Sequence, residues 1–327
     1  MAVMLEKLKK VLFAIETLPG TCEESGLEVM GVFNAVYAPE FESTIHLLTL
    51  GNLSVPRYFP NCRRPILTFS TYIRGSGTAV DDPPVERPLY LAAGMEETIN
   101  TGVSVAYTFT SDKTLWEWLT CNFWYVDGGN DYVVRMCGCV LTGVMRFEPC
   151  QPGIIDWRLE GIFREIAPIS NKHDFYGEGA SPAIVAATVD EPQPPTCMDG
   201  CITIGSYTGM VNNLFDFDIG NTINTRPTFC KEHGHEIPYI SERISVGNIQ
   251  TEILLPVTEF DIQGAIVDGD VNTISLAVGS VAGNQYTISV EAQLLNLTES
   301  PNTGISGWNV AYGAVDIQDA DFSLIFT

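Results

Sequence analysis

The sequence feature that most constrains the fold is a pair of apolar runs on either side of a short polar segment. The stretch LTCNFWYVDGGNDYVVRMCGCVLTGVMRF, residues 119–147, places aromatic and β-branched residues around Asp127, Gly128, Gly129 and Asn130. Acidic, glycine and asparagine residues between such runs are typical of a β-hairpin turn. The stretch therefore predicts two antiparallel strands joined at residues 127–130.

Alternating apolar residues continue the same pattern elsewhere in the chain. They occur in VSVAYTFT (103–110) and GIIDWRLEGIF (153–163), and again in short runs after residue 198. The 29 glycines and 19 prolines suit many short strands joined by turns, and no helix of appreciable length is expected after residue 100. The pattern predicts an all-β, mainly antiparallel fold with one face of each sheet buried.

A segment rich in proline, glycine and polar residues divides the chain. Pro192, Pro194 and Pro195 lie close together within residues 168–198, and prolines at that density do not occupy central strands. We therefore predict a first domain over residues 1–167, a linker over 168–198 and a second domain over 199–327.

A short internal sequence repeat suggests that the two domains arose by duplication. Leu50-Gly51-Asn52 is followed by Arg57, and Ile219-Gly220-Asn221 is followed by Arg226 at the same spacing, 169 residues later. Self-similarity at a fixed offset is the usual sign of a repeated unit. Chance similarity over so few residues is the alternative.

The charge of the chain is strongly acidic and uneven. Forty acidic residues face 17 lysines and arginines, and residues 180–327 hold 18 acids with three bases, Arg226, Lys231 and Arg243. A protein that grips nucleic acid needs a basic stripe to neutralise phosphates, and Arg63-Arg64 is the densest basic pair here. The chain is therefore expected to repel DNA, although the same charge would also serve solubility alone.

The first twenty residues carry apolar side chains at helical spacing, including Leu5, Leu8 and Leu12, with lysines between them. This spacing predicts an amphipathic arm that docks either on its own domain or on a neighbouring subunit. The apolar run is too short and too interrupted for a signal core or a membrane span.

Nine cysteines are present, and their spacing does not match a zinc site. We expect free cysteines that act as small apolar core residues, while the odd number leaves room for a bridge between chains in an oxidising setting. No metal and no cofactor are predicted.

The stretch RGSGTAVDDPPVERPLYLAAGM, residues 74–95, raises the question of a phosphate-binding loop. Gly75-Ser76-Gly77 lacks the third glycine of a dinucleotide motif, and Asp81 and Asp82 would repel a phosphate. A purely structural role fits the stretch better. We predict a strand that ends at Gly77, a helix N-cap at Asp82, a short helix that buries Leu89 and Leu91, and the end of that helix at Gly94.

Catalytic patterns are weak. The four histidines do not form a recognisable catalytic pattern with a serine or cysteine nucleophile. Acid pairs such as Asp216/Asp218 and Asp268/Asp270 are more often found in turns than in active sites. We therefore do not expect an enzyme.

Several of these stretches together resemble the tail tube proteins of long-tailed bacteriophages. They are KKVLFAIETLPGT, FSTYIRGSGTAVDDPPVERPLYLAAGMEETI and the run from FWYVDGG to DWRLEGIF in the first half, with IGNTINTR, SERISVGN and SLAVGSVAGNQYTISVEAQLLNL in the second. The best single piece is G-S-G-T leading into the LYLAAGM helix. Residues 198–327 show no clear counterpart of that helix.

The resemblance implies tandem β-sandwich domains with a short flanking α-helix, whose inner sheets join those of neighbouring copies into an oligomeric β-barrel. Three such chains would form a pseudo-hexameric ring, with hexameric rings as the alternative. The rings would stack into a tube that passes DNA without specific binding, in a virion tail assembled in the host cytoplasm. Sheath or tail-tip proteins and a tape measure protein would be the partners.

The same resemblance points to loops and the terminal arm as contacts between subunits or rings. The candidates are Leu5, Leu8, Leu12, Gly75, Ser76, Gly77, Asp81, Asp82, Leu89, Leu91, Asp127, Gly128, Gly129 and Asn130. The alternative function is a two-domain β-sandwich that binds a receptor or glycan as a tail component.

Overall fold

A computed structural model of the chain describes most of its length. The described residues are 9–23, 26–45, 58–78, 80–125, 132–168, 192–198, 200, 202–205, 207–208, 212–228, 231, 234–252, 260–300, 306–315, 319 and 321–327.

These residues form eighteen strands and two short helices, α1 (Arg87–Ala92) and α2 (Ile262–Asp268). The strands of the first half are β1 (Lys9–Ile15), β2 (Glu28–Met30), β3 (Phe33–Ile45), β4 (Tyr58–Tyr72), β5 (Met95–Asn100), β6 (Ser104–Phe109), β7 (Leu119–Tyr125), β8 (Tyr132–Phe147) and β9 (Ile154–Pro168). Those of the second half are β10 (Ile202–Ile204), β11 (Asn212–Asp218), β12 (Asn221–Asn224), β13 (Tyr239–Arg243), β14 (Val246–Glu252), β15 (Val271–Val278), β16 (Tyr286–Glu299), β17 (Gly307–Ala314) and β18 (Phe322–Phe326).

Sixteen of these strands belong to one sheet, and β12 and β13 form a separate pair. The longest path through the sheet runs β2-β1-β7-β8-β11-β14-β17-β16-β18-β6-β5. Strand β8 also pairs with β9, which leads to β4 and β3, and β16 also pairs with β15, which leads to β10. Every strand pair in the described part is antiparallel, so the predicted all-β, mainly antiparallel class is confirmed.

The two halves of the chain share this sheet and its core. Strand β11 of the second half pairs with the end of β8, and the C-terminal strand β18 pairs with β6 of the first half. Buried side chains from both halves form one hydrophobic cluster. The division at residues 168–198 thus separates two stretches of sequence that complete one another in space, and their origin by duplication stays a prediction.

The predicted hairpin around residues 127–130 has its two strands, because β7 and β8 pair from Tyr125↔Tyr132 back to Leu119↔Cys139. Asp127, Gly128, Gly129 and Asn130 themselves lie outside the described residues.

The helical spacing predicted for the N-terminal arm is wrong over residues 9–15, which form strand β1. This strand pairs with β7 along its length and with β2 in part. Val11, Leu12, Phe13 and Ala14 are all buried, which is the continuous apolar run of a strand covered on both faces. Short apolar runs fit a helix or a buried strand equally well, so the sequence alone was ambiguous.

The predicted short helix after the glycine-rich loop is confirmed as α1, but its predicted cap is wrong. The N-cap is Glu86, and Pro88 lies in the first turn, where its missing N–H has no intrahelical role. The Asp82 side chain instead accepts a hydrogen bond from Thr78 Oγ1 at 2.6 Å. The helix ends at Ala92 with Ala93 as its C-cap, and Gly94 follows with a φ of +78° that suits glycine.

Helix α2 was not expected after residue 100. Its N-cap Asp261 accepts a hydrogen bond from Gly264 N, and Gly269 ends the helix with a φ of +71°. Asp268-Gly269-Asp270 forms the turn that leads from α2 into β15. No described helix is long and apolar enough to cross a membrane.

A disulfide joins Cys22 to Cys137 across 115 residues of sequence, whereas free cysteines, with room for a bridge between chains, were expected. Cys121 and Cys139 are free and buried, as that expectation required. Next to the bridge, the buried Glu16 accepts hydrogen bonds from Gly138 N at 2.7 Å and Gly20 N at 2.6 Å, and burial raises its pKa. The Cys22–Cys137 disulfide and the hydrogen bonds of the Glu16 carboxylate together hold residues 16–22 against β8 at Gly138.

We expect the double replacement Cys22→Ala/Cys137→Ala to lower the unfolding free energy by about 2–4 kcal/mol, because the bridge closes a long loop in the unfolded chain. Urea denaturation with and without a reductant is the measurement. Reduced wild type should match the double variant, and Cys150→Ala, which removes an exposed free thiol, should unfold like wild type. Equal stability of oxidised wild type and the double variant would contradict the prediction.

Candidate assembly surface

The glycine-rich loop at residues 75–77 packs against the turn between β15 and β16. Gly77 N donates to Gly283 O at 2.9 Å, and Gly75 N donates to Asn284 Oδ1 at 3.2 Å. A Cβ atom on Gly75 would lie 2.2 Å from Gly283 O, so this close approach requires glycine. The loop that resembles a phosphate cradle therefore serves as a contact between the two halves of one chain.

Two other loop candidates also make contacts within the chain. Asp81 Oδ2 accepts a hydrogen bond from Gly102 N at 2.8 Å and so ties the loop to the β5–β6 turn. Ser76 Oγ accepts one from Thr78 N at 3.3 Å, next to the Thr78–Asp82 contact. Asp82 and Gly77 remain exposed at the surface of this loop.

The apolar candidates lie in the core. Leu12 and Leu89 are completely buried and Leu91 is nearly so. Leu5 and Leu8 lie outside the described residues. The structure thus does not gather the described candidates on one exposed surface, and contacts of the loop residues with other copies stay a prediction.

An ion pair behind the loop fixes the start of α1. Arg74 Nε and Nη2 both lie 2.8 Å from Glu86 Oε1, and their side chains are 5% and 0% exposed. The hydroxyl of Tyr90 lies in the same buried region, where burial raises its pKa and the Glu86 carboxylate raises it further. No pattern in the sequence marks this pair.

The second copy of the sequence repeat, Ile219-Gly220-Asn221, forms hydrogen bonds at the C-terminal end of α1. Asn221 Nδ2 donates to Ala93 O at 2.8 Å and to Leu141 O at 2.9 Å, and its Oδ1 accepts from Arg243 Nε at 2.9 Å. The Arg243 guanidinium also lies 3.9 Å from the centre of the Phe109 ring. The motif therefore joins the second half to the first through hydrogen bonds to backbone carbonyls.

Gly220 has a φ of +70°, and a Cβ atom there would lie 1.9 Å from Ile244 O. Arg226, five residues past this motif, forms an exposed pair with Glu236 at 3.6 Å. Leu50, Gly51, Asn52 and Arg57 lie outside the described residues, so the matching structure of the first half is not compared.

One face of the sheet stays open across β11, β14 and β17. Phe215, Ile249 and Val310 lie opposite one another on the covered face, and each is fully buried. The alternate positions are partly exposed, and they are mostly polar or small. We call them the open face: Leu214, Asp216, Asp218, Val246, Asn248, Gln250, Asn309, Ala311 and Gly313.

The open face carries acidic groups. Asp216 Oδ1 accepts hydrogen bonds from Asn248 N at 2.9 Å and Nδ2 at 3.2 Å. Burial raises the pKa of Asp216, and these hydrogen bonds offset part of that rise. Arg146 of β8 lies opposite Asp216 at the margin of this face.

Two long edges of the sheet have no partner strand in the described part of the chain. Strand β3 pairs with β4 alone over thirteen residues, and β5 pairs with β6 alone over six. Val36 on β3 is 54% exposed, and Ile99 on β5 is 49% exposed. Long unpaired edges are ready templates for strands of another molecule.

Binding sites for small ligands are weakly indicated. Within the described ranges, no three metal-ligating side chains come together. The pocket beside Cys197 encloses about 140 Å³, and it is lined by Phe147, Phe215 and Leu276, with no convergent set of charged groups.

A scan against models of known protein families finds no match to this chain, and a search of curated proteins finds no significant relative.

Proposed function

We propose that this protein is a structural subunit of a hollow tube, the tail tube of a long-tailed bacteriophage, through which DNA passes into the host. The observation that carries the proposal is the continuous antiparallel sheet, which has an open, mostly polar face across β11, β14 and β17 and, in the described part of the chain, unpaired edges at β3 and β5. The resemblance of residues 69–99 and 123–163 to tail tube proteins supports the same function.

The open face suits the wall of a channel. Its side chains are mostly short and polar, and Ala311 and Gly313 leave the backbone close to the surface. Such a face has few apolar groups that would adhere to a passing polymer. We therefore assign the open face to the lumen and the buried face to the subunit core.

The negative charge of the open face suits a channel that does not bind the DNA passing through it. In the second half, Arg243 is engaged by Asn221 and the Phe109 ring, so it does not contribute a cation to the open face. Asp216 and Asp218 lie on that face and repel phosphates, whereas binding DNA needs cations that displace its counterions.

Neighbouring subunits would join at the sheet edges. Strand pairing across subunits at β3 and β5 would give the backbone groups of these edges partners, and closure into a ring would remove the edges altogether. In this arrangement the inner sheets of the copies form one β-barrel. Rings of three chains, each contributing its two halves to the ring, are the form we favour, with six-chain rings as the alternative.

Microscopy of the purified full chain is the direct test. We expect stacked rings or tubes with a central channel, and averaged images should show threefold symmetry under an approximate sixfold outline. Discrete monomers or trimers with affinity for carbohydrate would instead support a receptor-binding tail component. A density map with a basic or apolar channel would contradict the assignment of the open face.

An edge variant makes this test specific. Val36→Lys places a charge on the exposed edge strand β3, and we expect it to block ring formation because a buried unpaired charge opposes strand addition. Val281→Lys is the matched control, since Val281 is 66% exposed in the turn between β15 and β16. Light scattering should show assemblies for wild type and the control and monomers for Val36→Lys.

A further inference from the structure

Two features with opposite charge lie far apart on the molecule, and each lacks a partner in the described residues. The first, the acidic turn, is Val267-Asp268-Gly269-Asp270-Val271 between α2 and β15. The second, the basic pocket, contains Arg164 and Lys231 beside the apolar side chains of Pro19, Ile162 and Ile237.

The acidic turn projects both apolar and charged side chains into solvent. Val267 is 84% exposed, the highest value among the large apolar residues described, and Val271 is 45% exposed. Asp268 and Asp270 are exposed, and their carboxylates have no ion pair or hydrogen bond in the described part. Exposed apolar groups next to charges are typical of contact sites.

The basic pocket collects positive charge in a chain that has little of it. It encloses about 320 Å³, and Arg164 and Lys231 are exposed without an ion-pair partner among the described residues. Its one described carboxylate, Glu236, faces Arg226 at 3.6 Å. The buried His235 places its Nδ1 2.9 Å from Glu236 O and so shapes the wall of the pocket.

The acidic turn cannot reach the pocket of its own chain through the sheet. Val271 begins β15, and Ile162 and Arg164 lie on β9, six strand steps away along β15-β16-β17-β14-β11-β8-β9. At about 4.8 Å between neighbouring strands, the separation along the sheet is roughly 29 Å. Asp268 and Asp270 make no ion pair with Arg164 or Lys231 in the described part of one chain, so a contact between these two features joins different copies.

We propose that the acidic turn of one copy binds the basic pocket of the next copy. The valines would pack against Pro19, Ile162 and Ile237, while Asp268 and Asp270 pair with Arg164 and Lys231. Because the two surfaces differ, the contact is head-to-tail and produces a closed ring or an open filament. The inference rests on the proposed assembly into a tube and names one of its contacts.

Charge reversal on each side tests the contact with full-length protein. The turn variant is Asp268→Lys/Asp270→Lys and the pocket variant is Arg164→Glu/Lys231→Glu. We expect each to weaken self-association about tenfold or more, because like charges then face each other across the contact. Lysine at the last residue of α2 suits the C-terminal end of a helix, so the turn variant should fold, which circular dichroism checks.

Mixing the two variants gives the sharper result. The pocket variant keeps an intact turn and the turn variant keeps an intact pocket, so an equimolar mixture should assemble with the two variants alternating: the native turn meets the native pocket, and the lysine turn meets the glutamate pocket. Combining all four substitutions in one chain should restore assembly. The control Glu148→Lys/Glu299→Lys makes the same charge change as the turn variant at two exposed acids elsewhere and should assemble like wild type.

Sedimentation velocity distinguishes the failure of this contact from the failure of the proposed function. If both variants form rings and tubes like wild type, or their mixture shows no complex, the contact is wrong and the tube stands. If wild type forms no ring or tube while the mixture associates and each variant alone does not, the contact stands and the tube is wrong.

Discussion

Replacing Arg74 with methionine is expected to lower the unfolding free energy by about 3–5 kcal/mol, because it leaves the Glu86 carboxylate buried without its counter-charge. The Glu86 side chain is 0% exposed and that of Arg74 is 5% exposed, so water cannot take over the lost contact. The pair also fixes the strand end at Arg74 to the start of α1, and the glycine-rich loop lies between them in sequence. Loss of the pair should therefore loosen the contact of that loop with the β15–β16 turn.

A double replacement and a surface pair make this prediction specific. Arg74→Met/Glu86→Leu removes both charges and should recover most of the loss, since apolar groups of similar volume can replace a buried ion pair. Arg146→Met is the matched control, because Arg146 and Asp156 are 58% and 38% exposed at 3.3 Å, and such pairs contribute about 0–1 kcal/mol. Chemical denaturation gives the three values. A loss below about 1 kcal/mol for Arg74→Met would show that the charge of Glu86 is not held in a buried site.

The sequence predicted the elements whose signals are local. Alternation in residues 103–110 and 153–163 predicted β6 and β9, and the polar segment at 127–130 predicted the β7–β8 pairing. The LYLAA run followed by Gly94 predicted α1 and its end. These signals succeed because side-chain periodicity and turn chemistry act over a few residues.

Contacts between segments far apart in the chain could not be predicted from local sequence patterns. Nothing in the spacing of Arg74 and Glu86, or of Asn221 and Arg243, shows that each pair meets in space. The order of strands also escapes local patterns, since β18 lies between β16 and β6, and β11 extends the edge of β8 beyond β7. The N-terminal segment misled because a strand buried on both faces loses the alternation that identifies strands.

The candidate loop at residues 75–77 illustrates the consequence for function. The missing third glycine and the nearby acids predicted a structural role for these glycines and no phosphate binding. Their actual role, a close approach to Gly283, depends on a turn about 200 residues later in the chain. Tertiary packing thus decides what a short glycine motif does.

Phe322 is the residue whose loss should show most clearly that the two halves form one folding unit. Its ring centre lies 4.6 Å from that of Phe109 in the first half and 4.9 Å from that of Phe217 in the second. The side chain is 1% exposed, and β18 pairs with β6 and β16 on its two sides. We expect Phe322→Ala to lower the unfolding free energy by about 3–5 kcal/mol through lost burial and the cavity left behind.

The second part of this prediction concerns the number of transitions in the unfolding curve. Four of the five tryptophans, Trp116, Trp118, Trp124 and Trp157, belong to the first half, so their fluorescence reports mainly on that half. Because the core is shared, fluorescence and far-ultraviolet circular dichroism should give one coincident transition that moves to lower denaturant in Phe322→Ala. Ser323→Ala, on the opposite face of the same strand, should shift it by no more than about 0.5 kcal/mol. Two separate transitions, with the tryptophan signal unmoved by Phe322→Ala, would mean that the halves fold independently and that β18 contributes nothing to the first.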